Sequence, residues 1–136
     1  MPEDDLHVQG ESLRGTIVLR VRYGHEQMLV AQASKVLSDA LMAEYETLRR
    51  LKDVKSKSCS VVIESEIAGS SVVRALFNVY NAVLSREGRA VCVVYPMDYI
   101  DSLATLGLLD MPGFTIASNV DEAVAIVLKA DSQGDS

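Results

Sequence analysis

The sequence has no tryptophan among its 136 residues, and only two histidines and two cysteines. Cys59 and Cys92 lack both the spacing of metal ligands and the number that a disulfide framework requires. Each adjoins an apolar segment, so we predict that both are reduced thiols of the core. The histidines, His7 near the N-terminus and His25 in a turn, are expected at the surface and not as catalytic bases.

Other signatures of chemistry are missing as well. No Gly-x-Gly-x-x-Gly motif or phosphate-binding loop with a following lysine is present, and no nucleophile, base and acid form a set. Glu64 and Glu66 are a pair of carboxylates with no third ligand nearby, which is typical of a solvated pair. We therefore expect no catalytic residues, no metal and no cofactor, and we predict that the protein is not an enzyme.

The charge balance excludes further classes. The formal net charge is -6, without a basic patch of the kind that nucleic acids and anionic membranes require. The densest basic stretch, from Arg49 to Lys57, is best explained as the solvated end of a helix. No apolar run approaches the ~20 residues that cross a bilayer, and the acidic N-terminus does not read as a signal peptide. We expect a cytoplasmic protein.

Apolar periodicity predicts one domain over residues 1–136, with disordered tails at 1–5 and 131–136. Alternating strands and helices indicate an α/β fold with a mostly parallel or mixed sheet of four to five strands and about four helices. The predicted strands are 16–23, one around 61–63, 89–95, 114–117 and a short edge strand at 6–9 before a turn at 10–15. The predicted helices are 26–52, one from about 72 to a C-cap at Gly88, 97–106, and one from a cap at Ser118 or Asn119 to about 128.

The first predicted helix, 26–52, is unusually long and carries an apolar stripe. Two interpretations stay open. In one, the helix projects beyond the sheet and its stripe packs against a second copy of the chain, which gives a homodimer. In the other, the helix breaks or frays near Glu46.

The junction between the central strand and the next helix is the candidate site. Val61, Val62 and Ile63 predict a strand buried on both faces. Gly69 frees the loop, and Ser70 or Ser71 can cap the helix that follows. A hydroxyl at a helix start beside the carboxyl end of a strand suits an anion or a phosphate.

Three segments in order resemble the sulfate-transporter and anti-sigma-factor antagonist (STAS) family. They are the strand that leads into Ser70-Ser71-Val72-Val73-Arg74, the strand Arg89–Val94, and Leu103–Leu109 followed by Phe114–Ile116 and Ser118–Val124. The resemblance covers nearly the whole chain. It implies a non-catalytic regulatory module that binds a kinase-like or switch protein partner in bacterial transcription control.

In that family the partner phosphorylates a Ser or Thr in an Asp-Ser-Ser/Thr-Gly junction. The matching residues here are Ala68, Gly69, Ser70 and Ser71, so the Asp is replaced and Ser70 aligns with the acceptor only after a one-residue shift. The resemblance therefore implies either a variant that binds without modification or one that is modified at Ser70 or Ser71. In the alternative interpretation, both serines serve only as helix caps.

Loops at the carboxyl ends of neighbouring parallel strands meet in space, which extends the site. The expected partner surface comprises Glu66, Ile67, Ala68, Gly69, Ser70, Ser71, Arg74, Pro96, Met97 and Asp98. The alternative is a domain that binds a small molecule or an anion such as a nucleotide or phosphate through the amides of Gly69, Ser70 and Ser71.

Overall fold

A computed structural model describes residues 6–23, 33–50, 60–66, 70–85 and 90–134 of the chain. The strands are β1 (Leu6–Leu13), β2 (Thr16–Tyr23), β3 (Val61–Ser65), β4 (Val91–Val94) and β5 (Phe114–Ala117). The α-helices are α1 (Ala33–Arg49), α2 (Ser70–Ser85) and α3 (Val120–Gly134), and two 3-10 helices span Met97–Leu106 and Leu108–Asp110. The predicted α/β fold with a mixed sheet is confirmed.

The five strands lie in the sheet in their order along the chain. β1 and β2 form an antiparallel hairpin, whereas β2, β3, β4 and β5 run parallel. Each parallel connection moves one strand in the same direction, and right-handed crossovers then bring the connecting helices to one face of the sheet. α1, α2 and the longer 3-10 helix pack there, and α3 packs on the opposite face.

Two apolar layers result from this arrangement. Alternate strand residues such as Leu19, Ile63 and Val93 point towards α1 and α2 and are fully buried. Their neighbours Val62 and Cys92 point the other way, into a smaller cluster with α3. The members that α3 contributes to this cluster without exposure are Ala123, Val124 and Val127.

The first hairpin differs from the prediction. β1 continues through Leu13, so the predicted turn at 10–15 is wrong and the turn is only Arg14-Gly15. Position 10 lies within the strand, and a glycine is needed there because α1 packs directly over it. A Cβ at Gly10 would lie 2.6 Å from Leu48 Cδ1 and 2.8 Å from Glu44 Oε1. A glycine that looks like a turn signal in the sequence is here a packing requirement.

Two helical segments also differ. α3 continues to Gly134, so the tail predicted from Asp131 is helical over most of its length. Once a helix has formed, each further residue adds one hydrogen bond while only that residue is ordered, so extension is easier than initiation. Residues 97–106 form a 3-10 helix. Its N-cap is Pro96, without a side-chain cap, and Gly107 ends it with φ 75°. The predicted cap at Asn119 is confirmed: its Oδ1 accepts the Glu122 N–H at 2.8 Å.

α1 accounts for much of the long predicted helix. It runs past Glu46 and ends at Arg49, and residues 26–32, 51 and 52 lie outside the described ranges. Its apolar stripe packs against the sheet and α2, with Leu37, Leu41 and Tyr45 fully buried. This part of the stripe is therefore covered within the chain, and a homodimer through this helix stays a prediction.

We predict that Arg14→Asn stabilises the protein. Arg14 has φ 55° and Gly15 has φ 81°, the pattern of a type I′ turn, and a left-handed conformation costs an ordinary residue about 1–2 kcal/mol. Asn tolerates this conformation, and the lost ion pair of Arg14 with Asp121, at 3.8 Å between exposed side chains, is weak. We expect a gain of about 0.5–1 kcal/mol in chemical denaturation. Arg14→Lys keeps the strain and should give no gain, and equal stability of both variants would contradict the explanation.

Candidate functional site

The register of the parallel strands brings the two predicted loops together. Glu64 of β3 lies opposite Val94 of β4, so Glu66 and Pro96, each two residues further along, leave the sheet side by side. The Glu66 N–H donates to the Val21 carbonyl at 3.4 Å, which holds the first residue after β3 against β2. The predicted meeting of the two loops at this edge follows from the observed register.

The helix side of the junction is described in part. α2 begins at Ser70, two residues before the start near Val72 that the sequence predicts, so Ser70 and Ser71 lie in its first turn. Val72 and Val73 are buried against the sheet, while Arg74 is exposed. Arg74 therefore belongs to the rim, meaning the edge of the sheet where β3 and β4 end. Ile67, Ala68 and Gly69 and the side chains of Ser70 and Ser71 lie outside what the structure describes. Anion binding by these amides, capping by these serines and their phosphorylation therefore stay predictions.

The 3-10 helix after β4 exposes two large apolar side chains. Met97 is 70% exposed and Tyr99 is 57% exposed, with Asp98 also exposed between them. Their inward neighbours Ile100 and Leu103 pack in the core, which fixes the direction in which the 3-10 helix presents the others. Met97 and Asp98 were predicted from the sequence, whereas Tyr99 was not.

A row of ion pairs crosses the sheet beside this rim, on the face that carries α3. Arg20 of β2 lies between two carboxylates: its Nη1 is 2.7 Å from Glu11 Oε2, and its Nε is 3.2 Å from Glu64 Oε1 without an aligned hydrogen bond. Arg22 and Glu66 repeat the pairing at 3.9 Å. The predicted solvated pair Glu64 and Glu66 is thus matched, residue for residue, by two arginines on the neighbouring strand.

This row has a structural explanation. Opposite charges in register across two strands stabilise a sheet by a few tenths to about 1 kcal/mol, and exposed pairs lie at the low end. Within the described residues no group of three His, Cys, Asp or Glu side chains could hold a metal ion. The signal that could have revealed the row is the matched spacing of Arg20 and Arg22 with Glu64 and Glu66.

The one described cysteine is buried in the smaller apolar cluster. Cys92 is a free thiol with no exposed surface. Burial raises the pKa of the Cys92 thiol, a hydrogen bond with the Thr115 side chain opposes this, and the charge of Glu122 raises the pKa further. The thiol is therefore protonated and poorly nucleophilic, as predicted for a core position. Cys59 lies outside the described ranges.

We expect Cys92 to be inert in the native protein. A Cys59→Ser variant leaves Cys92 as the single thiol. Its reaction with Ellman's reagent at pH 8 should be orders of magnitude slower in the native protein than in urea, because a buried thiol reacts only after the structure around it opens. The raised pKa also means that this group favours the native state below about pH 9, its ordinary value, and that this contribution is lost as the pH rises. A native rate close to that in urea would show that the thiol is accessible.

Comparison of the chain with protein-family models, with curated proteins and with solved structures finds no match. Among the helices in the described ranges, none has both the length and the apolar character needed to cross a membrane.

Proposed function

We propose that this protein is a cytoplasmic regulatory module that binds another protein through the rim where β3 and β4 end, in the manner of STAS domains. The rim surface is defined here as Glu66, Ser70, Arg74, Pro96, Met97, Asp98 and Tyr99. Its partner is a kinase-like or switch protein, as the sequence resemblance implies.

The exposure of Met97 and Tyr99 carries the proposal. Single exposed apolar residues are common, but two of the four large hydrophobic side chains that are exposed in the described residues lie within three positions of one 3-10 helix. Tyrosine is among the residues that contribute most at protein interfaces, because its ring adds contact area at a low cost in conformational entropy. The pair follows β4 as the start of α2 follows the neighbouring strand β3, and the resemblance assigns the contact with the partner to that start.

The charges around this pair suit a specific contact. Glu66 and Asp98 provide negative charge and Arg74 provides positive charge within the rim surface, and all three are exposed. Mixed rim charges select among partners and guide their orientation, while adding little to stability within the chain. An apolar centre surrounded by charged side chains is the usual arrangement of a protein–protein interface.

Phosphorylation of Ser70 would act on such an interface as a switch. A phosphate adds about -1.5 to -2 charges at pH 7. At the first residue of α2 the helix dipole favours that charge by roughly 0.3–1 kcal/mol, so the fold tolerates it. An unpaired charge buried against a partner costs about 2–5 kcal/mol, which weakens binding about ten- to a thousand-fold. The effect on binding therefore exceeds the effect on folding.

The test compares the rim with a matched position elsewhere. Tyr99→Glu places a charge in the centre of the rim surface, and Val36→Glu introduces the same charge at an apolar residue of α1 that is 46% exposed. We expect affinity capture from the native cells with quantitative mass spectrometry to lose one partner by at least about tenfold with Tyr99→Glu and to keep it with Val36→Glu.

Two further variants probe the junction. Ser70→Asp and Arg74→Glu should reduce capture of the same partner while thermal unfolding midpoints change by only a few degrees. A partner retained equally by Tyr99→Glu, Ser70→Asp and Arg74→Glu would contradict the proposed surface. Failure of the wild-type protein to capture any partner above a control resin would contradict the proposed function.

A further inference from the structure

The outer edge of β1 has backbone hydrogen-bonding groups that no strand in the described part of the chain pairs with. β1 is eight residues long, lies at the end of the sheet and pairs only with β2 in the part of the chain that the structure describes. Long edge strands are normally protected from further pairing by a proline, a bulge or charged side chains, lysine above all. β1 contains neither proline nor lysine, and its register with β2 is continuous from Leu6 to Leu13.

The hairpin geometry identifies the backbone groups on this edge. Leu13 and Thr16 flank the two-residue turn and therefore form the hydrogen-bonded pair that closes it. Hydrogen-bonded positions alternate along the strand, so the N–H and C=O groups of Val8, Gly10 and Ser12 point away from β2. An added strand could pair with these three residues.

A carboxylate lies over the middle of this edge. Because Gly10 has no side chain, Glu44 of α1 reaches down to the strand, with Oε1 2.8 Å from the point where a Cβ would stand. Glu44 is partly exposed and lines a cleft with residues 8–11 of β1 and with Arg20. Glu11, in the same cleft, already pairs with Arg20 at 2.7 Å, whereas no ion pair is formed by Glu44 with any described residue.

We propose that this edge binds an extended segment of another protein by strand addition, and that the segment carries a lysine or arginine opposite Gly10. In this arrangement the backbone of the segment pairs with Val8, Gly10 and Ser12. The cationic side chain lies on the α1 face of the sheet and meets Glu44. Main-chain pairing provides affinity, and the ion pair at one position provides specificity.

Charge complementarity argues for this occupant over a second copy of the chain. If β1 paired with itself in an antiparallel manner about Gly10 or Gln9, the position opposite Gly10 would be another Gly10 or Val8. Neither offers a cation to Glu44, and the symmetry would bring two Glu44 carboxylates to the same side of the junction. A basic segment brings no second carboxylate near Glu44, and its positive charge is attracted by the protein's net charge of -6.

The test uses a defined peptide and the full chain. The probe is the acetylated and amidated heptapeptide TVTKTVT, whose lysine shares one face with the two valines, and its match is TVTETVT. Nuclear magnetic resonance titration should show saturable shifts of the β1 amides with the lysine peptide and binding about tenfold weaker for the glutamate peptide. N-methylation of alternate peptide residues on the pairing edge should abolish the shifts, because it removes the donors.

Variants on α1 assign the specificity. Glu44→Lys should reverse the preference so that the glutamate peptide binds more tightly. Glu46→Lys makes the same change two residues further along α1, on a side chain that pairs with Arg49, and should leave the preference unchanged. Equal binding of both peptides, or shifts that map away from β1, would overturn the proposal. Changes in β1 amide shifts on raising the protein concentration without peptide would assign the edge to a second copy instead, and would also overturn it.

Discussion

The structure depends on burying β3 and β4 on both of their faces at once. Val61, Val62, Val91 and Cys92 have no exposed surface, so neither layer of helices can be removed without opening apolar strand surface to water. At about 25 cal/mol per Å² of apolar area, burial of this kind provides the main favourable term of the fold. The interior therefore has little freedom to vary, and recognition is left to the rims and edges of the sheet, where backbone and side chains still meet solvent.

Most of the fold was predictable because continuous apolar runs have few solutions. The predicted bounds of β2 and β5 agree with the structure, since each run is delimited by turn residues and its length suits a strand. β1 was predicted too short because Gly10 indicates a turn in sequence, and only the position of Leu48 in space explains it as part of a strand. The 3-10 helix was predicted as a helix without its type, although Ile100 and Leu103 show the three-residue repeat that such helices favour.

The candidate site was predictable in its location and less so in its content. Parallel strands bring their following loops to one edge, so the proximity of Glu66 and Pro96 followed from topology alone. Tyr99 was missed because its outward direction depends on the 3-10 geometry; in an α-helix, Tyr99 and the buried Leu103 would be four residues apart and on the same face. The partners of Glu64 and Glu66 were missed because an ion pair between strands depends on register, and register is set by the whole set of buried residues.

The two surfaces proposed here lie on different parts of one sheet, and the row of charges runs between them. Glu11 lies at the β1 edge and pairs with Arg20, which in turn lies beside Glu64, next to the rim that carries Glu66. This row is the direct polar connection across β1, β2 and β3 among the described residues. Its side chains are about one quarter to one half exposed, so each pair contributes at most about 1 kcal/mol and is weakened by salt. A ligand that disturbed one pair could change the affinity at the other surface by no more than about fivefold. The strands β3 and β4 are packed on both faces, and a close-packed interior resists the displacement that would be needed to amplify such a disturbance. Binding at the proposed β1 edge and binding at the proposed rim surface should therefore be nearly independent.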